Sequence, residues 1–359
     1  NRHLNRVVDI CKELGFKPIM WSDMFYRLGS KNNDYYDTDA VVPESAIAQI
    51  PDVALCYWDY YHTDEQFYAG MLEGHRKMGK EVVFAGGIWT WSGILPHVRK
   101  TNATMYPALR ACLKAGIGTV LATSWGDDGC ETDYRLALNQ LPIYSEHVWL
   151  GEDCTRAEVE RMGERLTGLS EACFNAMGAF YADDDDRRPG KGLFYCDPLY
   201  PLTEGLWDLT GYREGLEEGI KTLERHLDDS RCEYAWLAMR IALEKLNWVN
   251  ELRPAYLRGD KAVVLTMANE KLPAMRELYV KMMSVWREQW ESGRKRNGWE
   301  TICARLGAVI ARLDDVQRIL LRWADGTIEC VEELDETPLP ASRLCGRQDY
   351  HTMSFPQFR

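Results

Sequence analysis

Four short apolar runs, alternating with helical patterns, constrain this chain more than any other feature. They are Pro18-Ile19-Met20, Val53-Ala54-Leu55-Cys56, Val82-Val83-Phe84-Ala85 and Thr119-Val120-Leu121-Ala122. Each is continuously apolar rather than alternating, as a strand covered on both faces should be. Helical periodicity fills the gaps: near Glu65–Met78, closed by Gly79; near Thr104–Ala115, closed by Gly116; and near Tyr134–Val148. Ahead of the first run, Leu4, Val7, Val8, Cys11 and Leu14 form one apolar stripe, with Gly15 as a C-terminal cap. The alternation predicts a parallel sheet packed by helices, with strands over 18–22, 53–59, 81–89 and 118–125.

Every run leads into aromatic residues, in three cases beside a carboxylate. The clusters are Trp21-Ser22-Asp23, Tyr57-Trp58-Asp59-Tyr60-Tyr61, Trp89-Thr90-Trp91 and Trp125-Gly126-Asp127-Asp128. In parallel α/β folds the C-terminal strand ends carry function. Aromatic faces stack on the C–H faces of sugars, and carboxylates accept hydrogen bonds from sugar hydroxyls.

Residues two apart on a strand share a face. Trp21 and Asp23 therefore converge, unless they are a core indole and a helix cap. Tyr57 and Asp59 share one face, which turns Trp58 into the helix layer. Trp89 and Trp91, bracketed by Gly86, Gly87 and Gly93, either approach a ligand closely or plug the sheet end. Trp125 and Asp127 share a face, followed by Asp128 and Glu131. A divalent-cation loop is the competing reading of that acidic segment, but it lacks the EF-hand order of ligands. His62 reads as a surface histidine.

The bulk properties narrow the function class. Net charge is −12, and the acidic excess is spread over both halves, so nucleic acid is not an expected partner. No apolar stretch reaches membrane-spanning length, and no membrane partner is expected. Zinc-ligand spacing, a G-x-S-x-G elbow, a P-loop and a dinucleotide fingerprint are all missing from the sequence, so neither a metal nor an organic cofactor is expected. Eleven cysteines without C-x-x-C spacing fit a reducing, cytoplasmic setting, which discounts the sequon Asn102-Ala103-Thr104.

From about residue 151 the pattern becomes helical, over Ala157–Phe180, Gly211–Leu227, Cys232–Leu257, Lys261–Glu291 and Gly298–Trp323. The Asp183–Asp186 run with Arg187, Arg188, Pro189 and Gly190 reads as a solvated loop. Pro338, Pro340 and Pro356 break the tail. Two domains are expected: an α/β domain over 1–150, and an all-α helical bundle with an irregular tail over 151–359. Trp286, Trp290 and Trp299 serve either the bundle core or a homodimer interface.

Taken in order, KPIMWSDMF, YWDYY, GGIWTWSG and SWGDDGCE resemble the later strand ends of glycoside hydrolase family 20, the β-N-acetylhexosaminidases. The helical region, with Asn297-Gly298-Trp299-Glu300 and Arg305-Leu306-Gly307, is similar to the C-terminal domain of one bacterial-type branch. The resemblance implies that residues 1–150 are strands 5–8, the second half of a (β/α)8 TIM barrel. It implies an exo-acting glycosidase for terminal N-acetylglucosamine or N-acetylgalactosamine on a glycan. Its mechanism would be retaining and substrate-assisted, the acetamido oxygen attacking the anomeric carbon.

Tyr57 is implied as the catalytic hydroxyl on that oxygen. Trp21, Trp89 or Trp91, and Trp125 are implied as the indole walls, and Asp59 and Asp127 as partners of the distal hydroxyls. The family's Asp-Glu pair, which orients the acetamido group and moves the proton, has no counterpart here. It is expected upstream of Asn1, which leaves this chain alone inactive. A non-catalytic carbohydrate-binding protein and a helical interaction module on the same fold are the alternatives.

Overall fold

The computed structural model describes residues 2–127, 129–182, 189–199 and 211–336. They form two compact units. The first comprises Asn1–Ile88, Lys100–Trp125 and Asn139–Leu166; the second comprises Trp89–Arg99, Gly126–Leu138 and Thr167–Arg359. A single cut near residue 150 does not describe this division, because the loops 89–99 and 126–138 pack with the helices of the second unit.

The first unit is α/β. Helix α1 (Arg2–Glu13) precedes β1 (Ile19–Trp21) and β2 (Ala54–Trp58); α2 (Glu65–Arg76) and β3 (Val82–Gly87) follow. Then come α3 (Val98–Ala115), β4 (Val120–Thr123), α4 (Leu141–Leu150) and α5 (Arg156–Thr167). The strands pair in parallel in the order β1-β2-β3-β4, with Trp21 opposite Cys56, Trp58 opposite Ala85 and Ala85 opposite Leu121. Asp64 starts α2 by accepting a hydrogen bond from the Gln66 N–H.

The two faces of this sheet differ. Leu55, Tyr57, Phe84 and Gly86 face the helices. Tyr57 lies against Tyr68 and His75 of α2, and a side chain at Gly86 would strike Met105 of α3 and Tyr144 of α4. On the other face Cys56, Val83 and Ala85 cluster with Ala54 and Trp58. The outer strands open that face to solvent: Ile19 is 48% exposed, Trp21 42% and Leu121 37%. Cover on both faces, as the unbroken apolar runs predict, is therefore found only for the middle strands. The α1 stripe is also largely open: Val8 is buried, Leu4 and Cys11 are half-buried, and Val7 and Leu14 are exposed.

In the second unit the helices are α6 (Glu171–Met177), α7 (Pro189–Tyr195), α8 (Tyr212–Leu223) and α9 (Ser230–Leu257). They continue with α10 (Lys261–Thr266), α11 (Leu272–Gly293) and α12 (Trp299–Ala324). Helix α9 buries residues from Cys232 to Tyr256 along its whole length and forms the spine of the core. Helices α10 and α11 join through a π-helical turn, Met267–Lys271, in which the Leu272 N–H reaches the Met267 carbonyl. Pro273 then removes a donor from the ladder, and the Ala268 carbonyl accepts instead from Gln317 Nε2 of α12 at 2.8 Å.

Three helical expectations change. The pattern near 134–148 is broken into a short helix Tyr134–Ala137, a 3-10 turn Leu138–Gln140 and α4. The pattern over 157–180 is split by Gly168, whose φ of +74° ends α5. Pro189 and Gly190, expected in a loop, open α7 and are buried; Gly190 packs so closely on Phe180 that a Cβ would meet its carbonyl oxygen. The acidic run 183–186 and the tail beyond 336 lie outside the described residues.

Candidate functional site

In the first unit the C-terminal strand ends gather a ring of aromatic side chains. Trp21 closes β1, Trp58 closes β2, and Trp125 follows β4 by two residues. The Trp21 and Trp125 rings lie 6.2 Å apart, and Trp125 Nε1 donates to the Tyr60 hydroxyl at 3.1 Å. Tyr60 stacks on Trp58 at 5.5 Å, and Tyr36 meets the Trp58 edge at 5.6 Å. Trp21, Tyr61 and Trp125 remain about two-fifths exposed, while Tyr60 is buried. Rigid, exposed indoles beside a phenol make a stacking platform for an amphipathic ring.

Parity across β2 is the reverse of the sequence expectation. Trp58 stands on the open face with Trp21, whereas Tyr57 turns into the helix layer. The reason is packing: α2 presents Tyr68 and His75, and Tyr57 fills the space between them and Phe84. Tyr57 is fully buried and donates its hydroxyl hydrogen to Asp59 Oδ2 at 2.7 Å. Burial, with the Asp59 charge adding to it, holds the Tyr57 phenol far above its ordinary pKa, so it stays protonated.

Asp59, also fully buried, further accepts from the Tyr61 N–H at 2.9 Å and contacts His62 Nδ1 at 2.8 Å. His62 is stacked on Phe67 with ring centres 3.7 Å apart. This carboxylate therefore fixes the turn that carries Tyr60 and Tyr61. His62, expected as a surface histidine, is half-buried and braces the site; its spacing of three from Asp59 is the sequence signal for that contact.

Asp23 opens a short helix, Asp23–Tyr26, in the first unit, whereas Trp89, Trp91, Asp127 and the three bundle tryptophans belong to the second. Trp89 is fully buried and stacks on the nearly buried Trp91 at 4.5 Å. Asp127 is exposed. Its loop, continuing through Gly129 to Asp133, is anchored by Glu131, whose carboxylate contacts Lys191 of α7, Arg305 of α12 and the Tyr195 hydroxyl. Trp286, Trp290 and Trp299 are all buried in the helical core, which removes them as exposed interface anchors. Among the described residues no group of three or more His, Cys, Asp or Glu is arranged to hold a metal ion, and no helix is long and apolar enough to cross a membrane.

Residues 182–352 match the family model described as the Glycoside Hydrolase 20C C-terminal domain. No curated protein matches the chain.

Proposed function

We propose that this chain is part of an exo-β-N-acetylhexosaminidase, on the ground that residues 182–352 match the Glycoside Hydrolase 20C C-terminal domain. The observation that carries the reading is the open aromatic face of the first unit, where Trp21, Trp58, Tyr60 and Trp125 meet at the C-terminal ends of parallel strands. Such a face suits a sugar ring and its acetyl methyl, both apolar on their C–H surfaces.

Residues 1–150 are proposed as the second half of a (β/α)8 barrel. Sequential parallel strand order supports this, and so do the exposed apolar residues on both outer strands, which a closed barrel would cover. The reaction would be substrate-assisted and retaining, its acidic pair supplied from outside this sequence, which contains no H-x-G-x-D-E segment. This chain would then hold the sugar and its acetamido group and be inactive alone, in a cytoplasmic protein.

Asp127 and Trp91 keep the substrate-binding roles that the family resemblance implies, whereas the fully buried Trp89 backs the Trp91 ring. Tyr57 would reach an acetamido oxygen only by releasing Asp59, so its geometry favours a bracing role beneath Tyr61 and His62. The test is calorimetric titration of the chain with N-acetylglucosamine, N-acetylgalactosamine and glucose. Preferential binding of the N-acetylated sugars is expected. Equal affinity for all three, or none, would sink the reading. Binding combined with inactivity, even when the whole protein is assayed, would favour a carbohydrate-binding module instead.

A further inference from the structure

Residues 129–132 are held by many contacts within the second unit. Glu131 is 2% exposed, and its Oε1 accepts from the Tyr195 hydroxyl at 2.5 Å and from Arg305 Nη1 at 2.8 Å. Lys191 Nζ lies 2.8 Å from Oε2, an ion-pair contact. Lys191 and Arg305 are themselves buried. Two cations around one carboxylate in a dry interior are tolerated only when charge and hydrogen-bond geometry agree.

The backbone is tied down as firmly. Arg294 donates to the carbonyls of Cys130, at 2.6 Å, and Thr132, while its guanidinium lies over the rings of Tyr134 and Trp290. The Tyr234 hydroxyl lies 3.1 Å from the Glu131 carbonyl and 3.1 Å from that of Ile94. Thr132 Oγ1 donates to the Gly93 carbonyl at 2.7 Å. Gly129 adopts φ +94°, and a Cβ there would sit 2.7 Å from Arg305 Nη1. Cys130 follows in the left-handed region at φ 56°. A backbone bent this sharply holds its shape only when its surroundings over-determine it.

These contacts run from α7, α9, the C-terminal end of α11 and α12 to the segment Gly129–Thr132, and the exposed Asp127 sits four residues before the anchor. We infer that Glu131 is a positioning residue through which the helical unit fixes loop 126–133 and, with it, Asp127. The inference rests on the proposed role of Asp127 as a sugar-hydroxyl acceptor. It gives the helical domain a task in substrate recognition: setting the geometry of an acidic loop that it does not itself contain in sequence. Truncating or loosening the helices at this point would then act on the sugar as well as on the fold.

The experiment compares wild type, Tyr195→Phe, Glu131→Gln and Asp127→Asn in the full 359-residue chain. Hydrogen–deuterium exchange over 126–133 and N-acetylglucosamine affinity are read together. Tyr195→Phe is the decisive variant, since it removes one donor while both cations keep their carboxylate; Glu131→Gln strands them and is informative only if it folds. Tyr195→Phe should raise exchange in the loop and weaken sugar binding, each by about tenfold, with helix exchange unchanged. Asp127→Asn should weaken binding and leave exchange as in wild type. Unchanged loop exchange, or unchanged affinity in Tyr195→Phe while wild type binds, overturns the inference alone. A wild-type chain that binds no sugar overturns the functional reading, and the inference falls with it.

Discussion

Replacing Tyr57 by Phe separates a sugar-contacting tyrosine from a buried brace. The hydroxyl lost is a 2.7 Å donor to Asp59, and both side chains are fully buried. A hydrogen bond to a charged acceptor contributes about 1.5–3 kcal/mol. Asp59 keeps the Tyr61 N–H at 2.9 Å and His62 Nδ1 at 2.8 Å, so the carboxylate is not orphaned and the cost belongs at the low end, about 1.5 kcal/mol. In a domain of roughly 150 residues that lowers Tm by about 3–6 °C. Near-ultraviolet circular dichroism on heating would measure the shift, and a parallel titration with N-acetylglucosamine would measure affinity. A bracing tyrosine gives the thermal shift with affinity reduced only a few-fold. An unchanged Tm with binding abolished would refute the argument, because Tyr57 would then be reaching the ligand and not Asp59.

Two further outcomes follow from the same geometry. Trp125→Phe removes the 3.1 Å donor to Tyr60 and shrinks a two-fifths-exposed stacking surface, so sugar affinity should fall about tenfold; calorimetry that finds it unchanged counts against the aromatic face as the site. His75 is buried beneath Tyr26, and burial lowers its pKa from 6.5 to about 4, outweighing its bond to the Met71 carbonyl. The unfolded chain takes up this proton first as pH falls. The stabilisation is thus complete above about pH 6.5 and is lost as pH drops toward 4, about 3 kcal/mol in all. Urea midpoints of the first unit measured from pH 7 to pH 4 should fall accordingly; a flat profile, or the same slope in His75→Gln, would exclude His75 as its source.

Much of the architecture was legible in the chain because it follows from local periodicity. The strand runs, the capping glycines and the long helices over 232–257 and 298–323 lie within a few residues of their observed bounds. What escaped depends on partners remote in sequence. Parity at β2 was reversed because the two faces of a parallel strand are both apolar, and only the ring stack of Tyr68 and His75 on α2 shows which way Tyr57 points. His62 looked like surface because its carboxylate partner is buried by tertiary packing. Glu131 looked like one more acid in an acidic loop, since Lys191, Tyr195 and Arg305 are 60 to 174 residues away. Pro189 and Gly190 read as loop punctuation, although a proline suits the first turn of a helix and the glycine admits Phe180.

The π-helical turn at Met267–Lys271 has a consequence for phase. One extra residue in a turn rotates everything before it by about 100° relative to everything after it. Along α11 the buried positions Leu272, Met275, Tyr279, Met282, Trp286 and Gln289 recur at intervals of three and four, keeping one seam against the core. The turn lets Val264 and Met267 of the preceding segment meet that same core from a different angular setting. Pro273 and the tie from Gln317 to the Ala268 carbonyl hold the change of phase in place. The rod from Lys261 to Gly293 therefore behaves as two screws of different starting angle, clamped at a joint. A one-residue deletion at that joint would leave both seams individually apolar yet no longer pointing at the same neighbour.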